Sequence, residues 1–213
     1  MNCKFVGYEF KTLEVQLQPG ESFYAERGSI VYVENGLQRD VEFNGTGGVI
    51  AGIVKSKLSG ESMLIVKFYN NSNSPKILVV SGSYCSLAAI KLQNESLICH
   101  RGHYVASTNK VNLTLNMNGQ GFLGGLGLFF QKLEGTVTVF LDSLGSPIEK
   151  ILQYGETIEV DENHIVAMQG FSAGQIKAGW SIGNVLRGEG WSLMSVSGSG
   201  KLYLSPLPII PQK

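Results

Sequence analysis

The chain has 213 residues and a mass of 23.1 kDa, with 17 basic against 17 acidic side chains, 43% hydrophobic and 16% charged residues, and 27 glycines. A chain of this length buries roughly 70% of its unfolded surface, so a core forms without disulfide or metal staples, and one domain over residues 1–213 is the expectation. Zero net charge and a pI near 6.8 exclude the electrostatic footprint of a protein that coats nucleic acid or anionic membrane, while few charges and many glycines favour short strands and tight turns over long surface helices.

In chain order, Met1-Asn2-Cys3-Lys4-Phe5 carries one cation and no apolar run of signal-peptide length. Cys3, Cys85 and Cys99 are too few and odd in number for a disulfide framework. Both features predict reduced thiols in a cytoplasm. The runs Ile30-Val31-Tyr32-Val33, Met63-Leu64-Ile65-Val66, Ile77-Leu78-Val79-Val80 and Thr136-Val137-Thr138-Val139-Phe140 are β-branched and aromatic, bounded by turn formers, and read as strands. Val111, Leu113, Leu115 and Met117 alternate with Asn112, Thr114 and Asn116, the pattern of a half-buried antiparallel strand. Ser146-Pro147 before Ile148-Glu149-Lys150 offers the best helix start in the chain, but a turn between strands is the favoured reading there. The apolar stretch Gly121 to Phe130 is about half the length a membrane helix needs. The tail 206–213, with Pro206, Pro208 and Pro211, favours an extended conformation.

Comparing the chain with itself is more informative than propensity. LQPGESFYAERGSIVYVENG from Leu17, LQNESLICHRGHYVASTN from Leu92 and LQYGETIEVDENHIVAMQG from Leu152 each pass from Leu-Gln through an acid-bearing turn and a second turn into an apolar strand. Ser59-Gly60-Glu61-Ser62, Gly125-Leu126-Gly127 and Gly188-Glu189-Gly190 recur before further apolar strands. Three pseudo-repeats, near 5–85, 86–145 and 146–205, are therefore expected. Units of this size do not bury their own apolar faces and must pack together.

At these residues the sequence resembles the altered-inheritance-of-mitochondria family numbered twenty-four, a family of unknown function. The resemblance rests on PGESFYAERGSIVYV at 19–33, SGES at 59–62, GFLGGLGLFFQKLEG at 121–135, YGETIEVDENHIVA at 154–167 and GEG at 188–190, which together cover nearly the whole chain. It implies an all-β double-stranded β-helix or β-sandwich similar to the tryptophan RNA-binding attenuation protein, and an oligomer. It also implies a soluble cytoplasmic bacterial protein, with the yeast relative associated with the mitochondrial inner membrane. The family carries no catalytic residues to transfer. Leu126 departs from the Gly-Glu-Gly pattern, so the acid of that element is not essential to it.

His100-Arg101-Gly102-His103, next to Cys99, is the only cluster with metal-ligand chemistry, and His164 is the one histidine left to complete a set. Aligning the units places these residues over Glu26-Arg27-Gly28-Ser29 and over Glu162-Asn163-His164-Ile165, a turn that works without histidine. No metal is therefore expected. Gly119-Gln120-Gly121-Phe122-Leu123-Gly124 fits GxGxxG with Asp142 downstream, but no helix follows to meet a pyrophosphate, so no cofactor is expected. Glu21, Glu95 and Glu156 recur, as do Glu61 and Glu189. Acids repeated in every unit suit hydrogen bonds from turn amides better than acid/base work.

Phe122, Leu123, Leu126, Leu128, Phe129 and Phe130 exceed what one strand face needs and are the candidate partner contact, with burial on both faces as the alternative. The reading is a non-catalytic, oligomeric scaffold, with a trimer as one candidate stoichiometry. It presents loops and an apolar patch to an unknown protein partner, with peripheral membrane contact open. The alternative is a small-molecule- or metal-binding enzyme using a cavity at a barrel mouth or subunit interface, with the recurring acids or His100 and His103 as its polar groups. RNA binding rests on fold analogy alone and needs Lys55, Lys57, Lys67 and Lys76 on one face, so no nucleic acid partner is expected.

Overall fold

Alternation in the sequence becomes alternation of faces. In Thr12–Leu17, Leu13, Val15 and Leu17 are buried while Thr12, Glu14 and Gln16 are not, as the two-residue period of a strand dictates. The computed structural model describes residues 1–43, 64–84, 86–100, 102–115, 130–179 and 193–209. Among them the chain is all-β with no α-helix.

The strands in chain order are β1 (Asn2–Val6), β2 (Thr12–Leu17), β3 (Ser22–Glu26), β4 (Ile30–Val33), β5 (Leu37–Phe43), β6 (Leu64–Asn70), β7 (Lys76–Val80) and β8 (Ser86–His100). They continue as β9 (Tyr104–Ser107), β10 (Asn112–Leu115), β11 (Phe130–Ser143), β12 (Ile148–Leu152), β13 (Thr157–Asp161), β14 (Ile165–Gln169), β15 (Ile176–Gly179), β16 (Leu193–Ser197) and β17 (Gly200–Leu204). Every pairing is antiparallel. One sheet runs β1-β2-β7-β4 and a small one runs β13-β16-β15. The largest runs β12-β17-β14-β8-β11-β9-β3-β6-β5, with β10 also on β11.

One arrangement occurs at three places. β7 lies between β2 and β4, the second half of β11 lies between the first half of β8 and β9, and β17 lies between β12 and β14. In each, the third strand has one bulged residue, and each time it is a valine. Ile30 and Tyr32 pair while Val31 does not, Tyr104 and Ala106 pair while Val105 does not, and Ile165 and Ala167 pair while Val166 does not. β4, β9 and β14 therefore begin alike, with a kink fixed at their second residue.

One feature departs from the sequence-based expectations. Leu92-Gln93-Asn94-Glu95 is one residue shorter than its counterparts at Leu17 and Leu152, and β8 runs straight through it. Asn94 bulges out at φ 60°, between Gln93 opposite Thr136 and Glu95 opposite Gly135. Asn tolerates this left-handed conformation because its short polar side chain bonds locally. At Ser146-Pro147 the expected turn between strands is found: it joins β11 to Ile148–Leu152, which pairs along its whole length with β17.

Three apolar clusters form the interior. One gathers Leu13, Phe23, Ala25, Val66 and Leu78 beneath β2, β3, β6 and β7. A central one gathers Leu92, Leu97, Cys99, Leu133 and Val137 beneath β8 and β11. The last gathers Leu152, Val160, Met194 and Leu202 beneath β12, β13, β16 and β17. The tail docks in part: the Ile209 amide donates to the Asn163 carbonyl at 2.6 Å, and Ile209 is buried.

Candidate functional site

The histidine cluster sits where β8 turns into β9. His103 is 2% exposed, and its Nδ1 lies 2.8 Å from the Asp142 carbonyl oxygen. The Asp142 amide donates back to the His103 carbonyl at 2.7 Å, so ring and backbone are locked to the end of β11. The ring stands 5.1 Å from His100 and 5.4 Å from Tyr84, centroid to centroid. Burial, with the nearby His100 adding to it, pushes the imidazole down from 6.5 to about 4, so His103 is neutral at pH 7. Bonded to a carbonyl, neutral Nδ1 carries the proton. Nε2 keeps its lone pair and is buried with no hydrogen-bond partner among the described residues.

Asp142 organises a turn, a role that sequence reasoning did not find. Its carboxylate accepts from the Ser83 amide at 2.5 Å and from the Tyr84 amide at 3.0 Å, organising the 83–84 turn, and it is 1% exposed. Burial raises it from 3.8 to about 6 despite those bonds. A side chain at Gly82 would run into this carboxylate, which explains a glycine there. A group so enclosed by turn amides is no ribose-binding acid, and Gly119 to Gly124 lies outside the described residues.

The histidines do not form a set of three. His164 occupies the equivalent place at the β14–β17 junction, with Nδ1 2.7 Å from the Ser205 carbonyl oxygen while the Ser205 amide donates to the His164 carbonyl at 2.6 Å. Ser29 is the third member: the Ser81 amide donates to its carbonyl at 2.7 Å. The Glu26 and Asp161 side chains cap the short 3₁₀ turns that follow, accepting from Gly28 and Asn163 amides at 3.1 and 2.9 Å. Ser29, His103 and His164 thus hold matching positions in the backbone geometry, one residue from the sequence alignment that set Ile165 beside Ser29 and His103. Among the described residues, no three His, Cys, Asp or Glu side chains converge as metal ligands.

The recurring glutamates hold turns. Glu21 Oε2 accepts from the Gln18 amide at 2.8 Å and Glu156 Oε2 from the Gln153 amide at 2.7 Å. Each turn is completed by a glycine in the left-handed region, Gly20 at φ 84° and Gly155 at φ 86°. Glu95, on the bulge, accepts instead from Gln169 Nε2 at 2.5 Å and so ties β8 to β14. The two thiols among the described residues are poor nucleophiles: burial pushes Cys99 up to about 12 and Cys3 up to about 11.

Glu61, Glu189, Phe122, Leu123, Leu126, Leu128 and Phe129 lie outside the described residues, as does the side chain of Phe130, whose backbone pairs with His100. Lys55 and Lys57 also lie outside them, while Lys67 and Lys76 stand in different sheets. Exposed aromatics that composition did not single out are Tyr8 and Phe10 in the β1–β2 turn, Tyr154 in the Glu156 turn, and Tyr32 on β4. Among the described residues no helix is long and apolar enough to cross a membrane.

The geometry defines an all-β protein of antiparallel open sheets whose recurring polar residues serve its own turns. The family model described as Mitochondrial biogenesis AIM24 matches residues 3–207, and the chain belongs to that family. It is 28% identical over 166 residues to the uncharacterised protein M6_Spy0233 of Streptococcus pyogenes serotype M6, which covers 75% of this chain and 66% of that protein, just under two thirds. Among solved structures it resembles protein SPYM3_0169 of Streptococcus pyogenes, with a TM-score of 0.71 and 24% identity over 98% of this chain and 94% of that one. The family expectation drawn from the motifs therefore holds.

Proposed function

We propose that this protein is a non-catalytic, oligomeric scaffold whose three related β units pack together as one double-stranded β-helix or β-sandwich of the attenuation-protein type, working in the cytoplasm. One observation carries the reading: among the described residues, equivalent polar side chains at equivalent turns and strand ends are engaged by backbone groups. Glu21 and Glu156 close equivalent turns, and Ser29, His103 and His164 tie equivalent strand ends. These bonds commit the Glu21 and Glu156 carboxylates and Nδ1 of His103 and His164 to the fold, which supports a structural role for them.

A second reading, ligand or metal binding, is favoured by His103 Nε2 and Gln131 Nε2, both buried with no hydrogen-bond partner among the described residues. Light scattering coupled to size exclusion, with native and denaturing mass spectrometry of the same peak, separates the two. The scaffold reading predicts an oligomer whose mass is polypeptide alone. A stoichiometric excess mass, or zinc, copper or iron held per chain, overturns it.

A further inference from the structure

The two junctions between successive units share one register. Where β3 meets β9, Ala25 lies opposite Ala106 and Tyr24 opposite Ser107. Where β8 meets β14, Cys99 lies opposite Ala167 and Ile98 opposite Met168. Ala25 and Cys99 are each the last residue but one of the strand that ends at the turn, and Ala106 and Ala167 each stand three residues after His103 and His164. The incoming strand also brings two of three equivalent apolar residues, and the strand paired behind it brings the third. Val105, Ala106 and Phe140 join the cluster beneath β3, and Val166, Ala167 and Tyr203 join the cluster beneath β8.

Each end of this series has an unmatched half-junction. β4 is the counterpart of β9 and β14, and β13 is the counterpart of β3 and of the end of β8. Both are terminal in their sheets among the described residues. Burial follows pairing. β9 is buried throughout and so are the first four residues of β14, whereas in β4 Val31 is 54% and Tyr32 is 48% exposed. Ser22–Glu26 buries its three central residues, but in Thr157–Asp161 only Val160 is buried. The equivalent trio would be Val31, Tyr32 and Val79, and none of them belongs to the cluster around Val160.

The geometry points to a head-to-tail interface in which the β4 edge of one copy of this chain pairs with the β13 edge of another, Tyr32 opposite Val160 and Val33 opposite Glu159. It rests on the scaffold reading and names that scaffold's partner as a second copy. The register is fixed by the two junctions inside the chain, and the exposed strand edges offer unpaired amides and carbonyls that such pairing satisfies. At both internal junctions an alanine fills the place of Tyr32. The larger ring reaches further into the facing cluster, and a tyrosine is the kind of side chain that anchors an interface between molecules. The contact is heterologous, so its rotation decides between a closed ring of copies and an open filament.

The test is disulfide trapping in full-length protein carrying Cys3→Ser and Cys85→Ser. Tyr32→Cys protein is mixed with Val160→Cys protein, and Val33→Cys with Glu159→Cys. Neighbouring pairs in an antiparallel ladder alternate in separation, so one of the two mixtures is close enough to bridge. The expected result is a disulfide-linked dimer in one mixture, read on a non-reducing gel and located by peptide mass. Val31→Lys, at an exposed position that leaves the fold intact, is expected to weaken self-association by roughly tenfold or more, because the lysine is buried unpaired when the edges meet. No bridge in either mixture, or a bridge formed only within one chain by Tyr32→Cys/Val160→Cys, overturns the inference. A polypeptide-only oligomer that neither bridges nor responds to Val31→Lys overturns this interface and leaves the scaffold reading standing. A monomer carrying bound metal or ligand overturns the scaffold reading itself.

Discussion

Replacing Asp142 by asparagine unmasks a hidden pH dependence of stability. Asp142 and His103, both nearly inaccessible, meet at the end of β11, yet their folded-state pKa values move in opposite directions. Asp142 rises from 3.8 to about 6. Within that window the folded state holds a proton that the unfolded chain releases, so this group's contribution to stability falls as pH rises. His103 drops from 6.5 to about 4, and within that window the unfolded chain holds the proton, so its contribution rises with pH. At about 1.4 kcal/mol per pH unit each effect is on the order of 3 kcal/mol, and in the native protein they nearly cancel. Urea denaturation of wild type and Asp142→Asn at half-unit steps from pH 4 to 7 reads the difference, which removes every other titrating group. The variant is expected to gain stability relative to wild type by on the order of 3 kcal/mol across the window. His103→Gln is expected to show the opposite slope of similar size. Parallel curves for wild type and Asp142→Asn would refute the reasoning.

Gly82→Ala drives a methyl group into the Asp142 carboxylate and is expected to cost about 1–3 kcal/mol in urea denaturation at pH 7. Glu156→Ala removes the acceptor of the Gln153 amide and is expected to cost about 1 kcal/mol with fold and association unchanged, as read by thermal melts and light scattering. Cys99, fully buried with its thiol held up near 12, is expected to resist iodoacetamide at pH 8 until denaturant is added, which mass spectrometry reports directly.

Strand content was legible because side-chain period and β-branched composition act locally. Ile30–Val33 coincides with a predicted run, and Lys76–Val80 exceeds one by a single residue. The amide-accepting role of Glu21 and Glu156 was legible too, since both follow a glycine in the same turn. The continuity of β8 was not, because Leu92-Gln93-Asn94-Glu95 is spelled like a turn and only pairing with β11 converts it to a bulge. The equivalence of Ser29, His103 and His164 was displaced by one residue, because Glu162 looks like the counterpart of Glu26 while Asp161 performs the cap. Aligning on the bulged valines would have found it. Asp142 was invisible as a turn organiser, since its partners Ser83 and Tyr84 lie far away in sequence and only the fold joins them.

Hydrogen exchange followed by mass spectrometry, at protein concentrations spanning two decades, reads the scaffold directly at its edges. The account predicts that peptides covering β4 and β13 gain protection together as concentration rises, while β9 and β14, already paired within the chain, keep theirs throughout. Exchange in β4 and β13 that is fast and independent of concentration while the protein remains a single polypeptide would contradict it.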